Sequence, residues 1–145
     1  MTESIRNQEN VILPKEVIIK LDKPFIDERG EIIPLVDITM NSCVLITSKK
    51  GTIRANHYHK TDWHFCYVLK GTIEYYHRSV GRKELPEKII VKQGQLFFTP
   101  PMVEHTMIFK EDTTFLTLGR NSRKQKAYES DLIRTELISH DVAFR

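Results

Sequence analysis

Residues 51–71 read GTIRANHYHKTDWHFCYVLKG, and the pattern of apolar, aromatic and histidine positions within them decides the fold. Ile53 to His59 and Trp63 to Leu69 are rich in β-branched and aromatic residues, whereas Lys60 to Asp62 between them is polar in the manner of a turn. His57 and His59 stand one residue apart and project from one face of the first strand. If the turn reverses the chain, His64 opens the next strand close to that pair. In Trp63 to Leu69 both parities are largely apolar, with Trp63, Phe65, Tyr67 and Leu69 on one side and His64, Cys66 and Val68 on the other. Such a strand is expected to be covered on both faces. A single small barrel covers only the inner one, so the outer cover is either a partner subunit, which predicts a homodimer, or the chain's own N-terminal segment.

The same texture extends in both directions. Further strands are expected at Val17 to Leu21, Glu31 to Asp37, Ser42 to Ser48, Thr72 to Arg78, Lys88 to Val91, Gln95 to Thr99, His105 to Phe109 and Thr114 to Leu118, with breakers at Arg29-Gly30, Lys50-Gly51, Lys70-Gly71, Gly81 and Gln93-Gly94. Ten strands in 145 residues predict one all-β domain over 1–145, a sandwich or barrel with its core at about 31–119, N-terminal strands and a C-terminal tail. After Gly119 the sequence turns polar, NSRKQKAYESD, where Ser122 is placed to cap a short helix before a last apolar segment, Leu132 to Ile138.

Composition narrows the function classes. No apolar run reaches the roughly 18 to 20 residues of a membrane helix, and MTESIRNQEN has no apolar core of the secretory kind, which predicts a soluble cytoplasmic protein with no membrane partner. Cys43 and Cys66 are too few for a disulfide scaffold and form no CxxC pair, so both read as reduced thiols. The net charge of +3 is spread along the chain. The basic run Arg120, Arg123, Lys124 and Lys126 reads as a solvated segment, no nucleic-acid partner is expected, and a modest positive excess suits an anionic small molecule.

A fourth histidine, His105, follows Gln95 to Thr99 and the stiff Pro100-Pro101 pair, and shares parity with the apolar Met107 and Phe109, which points it inward. Imidazoles crowded together repel when protonated, so a cluster of His57, His59, His64 and His105 either stays neutral or holds a cation on its lone pairs. Neutral imidazole suits zinc, copper, iron and nickel.

The spacing G-x5-H-x-H-x4-H-x6-G over Gly51, His57, His59, His64 and Gly71 resembles the first cupin motif, with His64 where the third ligand is usually Glu. Gly94, Pro100 and His105 resemble the second, with Met102 in place of its second Gly and Phe109 in place of its Asn. The resemblance implies a double-stranded β-helix, or jelly-roll barrel, in which the four histidines face one cavity and hold a divalent metal ion, whether zinc, iron, nickel, copper or manganese. Within that family, Arg54-Ala55-Asn56-His57-Tyr58-His59-Lys60 resembles the R-G-x-H-x-H-K segment of nucleotide-sugar ketoisomerases and the R-G-x-H segment of deoxysugar 3,5-epimerases, with Ala55 where Gly is usual. Phe25-Ile26-Asp27-Glu28-Arg29-Gly30 resembles the D-x-R-G segment common to those cupins and to the cupin half of capsule-synthesis enzymes.

By this resemblance the substrate is a small molecule of the nucleotide-sugar class, His57 is the proton-transfer base and Arg54 contacts sugar or diphosphate. A ligated nitrogen accepts no proton, so a metal on His57 moves the base role elsewhere, with Lys60, Tyr75 and His77 as candidates; His77 shares parity with Ile73 and Tyr75 and is also a candidate substrate contact. Three functions compete: an isomerase or epimerase of a nucleotide-linked keto-sugar, a metal-dependent dioxygenase of a small anionic substrate, and a noncatalytic sugar or small-molecule binding cupin in which the metal braces the barrel.

Overall fold

The structure is a computed structural model that describes residues 11–145. Its strands are β1 (Ile18–Ile19), β2 (Phe25–Asp27), β3 (Gly30–Ile32), β4 (Ser42–Ser48), β5 (Thr52–His59), β6 (His64–Lys70), β7 (Thr72–Ser79), β8 (Glu87–Lys92), β9 (Leu96–Thr99), β10 (Val103–Phe109), β11 (Thr113–Gly119) and β12 (Leu132–Arg134), with short helices α1 (Gln125–Asp131) and α2 (His140–Ala143). Two antiparallel five-stranded sheets, ordered β1-β9-β6-β11-β4 and β12-β5-β10-β7-β8, face each other as a jelly roll, and β2 pairs with β3 in a separate hairpin.

Between the sheets the inward residues Cys66, Val68, Ile73, Tyr75, Val91, Phe97, Met107, Phe109 and Phe115 make one buried cluster that fills the barrel. Outside the first sheet lies a second cluster, Trp63, Phe65, Leu96 and Phe98. Leu13, Ile19, Leu21, Val36, Ile38 and Met40 pack over it, so the chain's own N-terminal segment covers the outward parity of β6. The expected strand at Glu31 to Asp37 ends at Ile32, because Pro34 has no N–H to give a ladder. Before it, the Asp27 carboxylate accepts hydrogen bonds from the Arg29 backbone and guanidinium across the hairpin turn. Ser122 does not cap α1: its hydroxyl accepts from the Lys124 N–H, and Lys124 is the N-cap.

Two departures from glycine have a structural cost. Ala55 (φ 71°) and Met102 (φ 59°) adopt the left-handed conformation that glycine takes freely. Beside Ala55, Asn56 is the extra residue of a bulge in β5, since His57 pairs with His105 while Ala55 pairs with Thr106. Asn56 holds the bulge in place: its side-chain oxygen accepts from Thr106 Oγ1 (2.5 Å) and the Ile138 N–H (3.2 Å), and its amide donates to the Ile138 carbonyl (3.0 Å). Ala55→Gly is expected to raise stability by about 0.5–1 kcal/mol, the relief of left-handed strain less the added chain entropy of glycine. Urea unfolding checks this, and a destabilised variant would show that the Ala55 methyl packs usefully.

Candidate functional site

The bulge aims His57 and His59 into the space between the sheets, where β10 supplies His105 and β6 supplies His64. The four rings line a cavity of about 320 Å³ together with Arg54, Cys66, Thr99, Thr117, Arg123, Tyr128 and Arg134. The His57 ring centroid is 4.7 Å from that of His59 and 4.8 Å from that of His105, and His59 is 5.1 Å from His64. One ring nitrogen from each of His57, His59 and His105 lies within 4.8 Å of the others.

His64 stands apart from that trio. Its Nε2 is 3.1 Å from Asp62 Oδ2, and Asp62 Oδ1 accepts from the Trp63 and Asn121 N–H groups. Gly119 gives the ring its room, because a Cβ there would lie 2.8 Å from His64 Cδ2. Behind His59, Asp131 at the end of α1 has Oδ2 3.5 Å from Nδ1, without the alignment of a hydrogen bond. Asp131 accepts instead from Thr61 N–H, Thr61 Oγ1 and the Asp62 N–H. His105 Nδ1 is 3.1 Å from the Val103 carbonyl, which fixes that nitrogen as the donor and leaves Nε2 as a lone pair.

Burial, reinforced by the neighbouring imidazoles, lowers His57 to about 2, His105 to about 3 and His59 to about 4. All three are therefore neutral at pH 7. Asp62 and Asp131 are both held below the usual carboxylate value by their hydrogen bonds and the adjacent histidines, against a contrary push from burial. Burial raises the Cys66 thiol and the Tyr128 phenol, which keeps both protonated.

Not every residue singled out in the sequence reaches the cavity. Lys60 is exposed at the turn after β5, with its backbone N–H on the Asp131 carbonyl. Tyr75 is wholly buried in the barrel core against Phe97 and His77, its hydroxyl unpartnered, and it is not among the lining residues. His77 lies in register with His105 on β7, stacked on Tyr75, with Nε2 3.7 Å from Glu87, and it too is outside the cavity. Arg54 does line it, steadied by Ser48 Oγ (2.5 Å) and the Thr47 carbonyl (2.8 Å).

Sequence reasoning missed Arg123, Tyr128 and Arg134. The tail returns to the barrel when β12 pairs with β5, setting Leu132 opposite His59 and Arg134 opposite His57. This brings Tyr128 to 5.4 Å from His59 and 6.3 Å from His57, between ring centroids, with the Arg123 guanidinium 3.5 Å over its ring. A single aromatic among the polar residues 120–131 was the available signal.

The cavity inside the jelly roll, with histidines from facing sheets, is the arrangement of a cupin. The cupin domain family matches residues 44–118, and the chain belongs to that family. Among solved structures, it is similar to QdtA, a sugar 3,4-ketoisomerase from Thermoanaerobacterium thermosaccharolyticum in complex with TDP (21% identity, TM-score 0.65, covering 87% of this chain and 92% of that one). It is also similar to a 3,4-ketoisomerase from Helicobacter canadensis (21%, 0.66, 81% and 88%) and to the dTDP-4-dehydrorhamnose 3,5-epimerase of Sulfolobus tokodaii (18%, 0.63, 82% and 77%). At these identities the likeness is one of fold. No curated protein matches the chain. Among the described residues no helix is long and apolar enough to cross a membrane.

Proposed function

We propose that the protein is an isomerase or epimerase of a nucleotide-linked keto-sugar, with His57 as the group that moves the proton. The observation that carries this reading is the cluster of neutral imidazoles at a cavity lined, among the described residues, by three arginines and no carboxylate. A neutral imidazole accepts the proton on the carbon beside a ketone, and hydrogen-bond donors stabilise the enolate that results. In a 3,4-ketoisomerisation the C3 proton passes to the base and is returned at C4 while the hydroxyl hydrogen moves from O3 to O4, so no oxidant is consumed. Arg54 and the protonated Tyr128 phenol are among the donors that line the cavity. The test is incubation with TDP-4-keto-6-deoxyglucose in D2O, followed by NMR. A 3-keto product, or an epimer, carrying deuterium at the carbon that changes supports the reading; an unchanged sugar with no deuterium overturns it.

The trio favours a second reading. Three neutral imidazoles with converging nitrogens fit a divalent cation in donor type, and His57, His59 and His105 are the residues that would hold it. Such an ion would polarise a substrate oxygen as a Lewis acid, and His57 would then no longer be available as the base. Elemental analysis of protein purified without a metal-affinity tag separates the two: about one ion per chain favours the metal centre, and an active, metal-free enzyme favours His57 as base. The homodimer is proposed on the apolar side chains that stay exposed on β4, β6 and the β2–β3 hairpin, namely Leu45, Leu69, Phe25, Ile26 and Ile32. Light scattering at the monomer mass would remove it.

A further inference from the structure

The motif spacing sets His64 in the place of a third metal ligand, yet the nitrogens that converge belong to His57, His59 and His105. The cause lies in the ring of His64 itself, because both of its nitrogens already face protein partners. Nε2 is 3.1 Å from Asp62 Oδ2, and Nδ1 is 3.5 Å from the Thr99 hydroxyl on β9. An ionised carboxylate only accepts, so Nε2 carries the hydrogen and has no lone pair for an ion. The lone pair that remains, on Nδ1, faces Thr99. In the trio the nitrogens are differently placed. His105 donates from Nδ1 to the Val103 carbonyl and keeps the Nε2 lone pair, and the buried Nδ1 of His59 has no hydrogen-bond partner among the described residues.

Asp62 is itself fixed. Its side chain is only 2% exposed, its Oδ1 accepts from the Trp63 and Asn121 N–H groups, and its own N–H donates to Asp131 Oδ2. Oδ2 is thereby left for His64. On the far side of the ring there is no room to retreat, since a Cβ at Gly119 would come within 3.1 Å of Nε2. Turning His64 toward an ion would leave the Asp62 carboxylate buried and unpaired, which is costly. The consequence bears on what a metal could do here. An ion on three protein nitrogens keeps a position for water or substrate, whereas a fourth imidazole completes the closed tetrahedral set of a structural site.

We infer that Asp62, with Thr99, withholds His64 from the ion, so that a divalent cation in this cavity is held by three histidines and keeps a position open to substrate. Asp62 is then a positioning residue that acts through His64, and the histidine in the motif's ligand place is part of the wall. The inference rests on the second reading above, in which His57, His59 and His105 hold the ion.

The test is zinc titration of the full chain, stripped of metal with a chelator and carrying isotope-labelled histidine, followed by NMR of the ring nitrogens. Zinc is expected to move the signals of His57, His59 and His105 and to leave those of His64 in place, with its Nε2–H retained. In Asp62→Ala and Asp62→Ser, where no carboxylate holds the ring, the zinc-dependent shift should extend to His64. Two variants are used because Asp62 also anchors the turn, so that one that fails to fold does not decide the matter. Zinc affinity gives an independent readout. His105→Ala should weaken it by more than the roughly 10- to 100-fold typical of losing a ligand's hydrogen-bond partner, and His64→Ala by less than that range. A zinc-dependent shift at His64 in the wild type, or a loss in His64→Ala as large as that in His105→Ala, overturns this inference and leaves the metal centre standing with four ligands. Zinc that moves none of the trio overturns the metal centre and this inference with it, and leaves His57 free as the base. His64 signals that zinc leaves unmoved in both Asp62 variants overturn the role given to Asp62.

Discussion

His57→Asn is expected to lower keto-sugar turnover by about 10²- to 10⁴-fold, the usual contribution of a positioned proton-transfer group, while TDP binding stays within a few fold. His57 sits at the centre of the cluster, with ring neighbours His59 and His105 at 4.7 and 4.8 Å and Tyr128 at 6.3 Å, and asparagine keeps a polar side chain of similar reach but carries no basic lone pair. Deuterium exchange into the sugar should fall in parallel with turnover. A variant that keeps turnover within tenfold of wild type would remove His57 as the base. The matched substitution His64→Asn discriminates further. Since the His64 Nε2 is engaged by Asp62, its loss should disturb the turn at residues 60–63 more than the proton transfer, and therefore lower the melting temperature more than His57→Asn does.

The face on which each residue lies was legible in the sequence, because side-chain parity in a strand is a local property. Alternation in β6 correctly separated His64, Cys66 and Val68 from Trp63, Phe65 and Tyr67, and the inward parity of His105, Met107 and Phe109 holds in the structure. Parity does not say where along or across a sheet a residue falls. Tyr75 has the inward parity, yet it pairs with Met107, one step deeper into the barrel than the row of His57, His105 and His77. His77 is in that row, but on β7, two strands from β5, away from the cavity that β5 and the tail enclose. Strand order is set by long-range pairing, which no short window of sequence contains.

The C-terminal wall was hidden for a similar reason. Its anchors are long-range: Asp131 with Thr61 and Asp62, Asn121 with Asp62, and Asn56 with Ile138. Asn121 and Asp131 are polar and lie in or beside a stretch that reads as solvated, and Ile138 is engaged through its backbone, which no side-chain pattern reports. The motif glycines show the opposite case. Met102 stands where the resembling second cupin motif carries glycine and Ala55 where the resembling R-G-x-H segment does, and the backbone at both is left-handed nonetheless. The bulge and the Pro101–Met102 turn are held by neighbours, including the hydrogen bond from the Met102 N–H to the His59 carbonyl, so the left-handed conformation is kept at residues that do not favour it.

The same cluster makes the fold sensitive to acid well above the range where carboxylates titrate. In the unfolded chain His57, His59 and His105 take up protons near 6.5, whereas in the folded protein burial first, and then the neighbouring imidazoles, hold them at about 2, 4 and 3. Between those limits only the unfolded chain binds the protons, so stability is fully present above pH 6.5 and falls as the pH drops. Each histidine contributes up to ~1.4 kcal/mol per pH unit, and the three together approach ~4 kcal/mol per unit. The His59 contribution levels off near pH 4, where that ring begins to titrate in the folded state, while those of His105 and His57 run on to about 3 and 2. Asp62 and Asp131, held low in the fold, add their own loss as the pH falls further. Urea unfolding at pH 7, 6 and 5 should therefore show a stability that drops with increasing steepness, enough to exhaust the 5–15 kcal/mol of an ordinary domain near pH 4–5. His57→Asn removes one of the three protons and should make the slope about a third shallower. A stability that stays level from pH 7 to 5 would mean that the folded imidazoles take up protons as readily as those of the unfolded chain, which would remove the desolvated, neutral cluster.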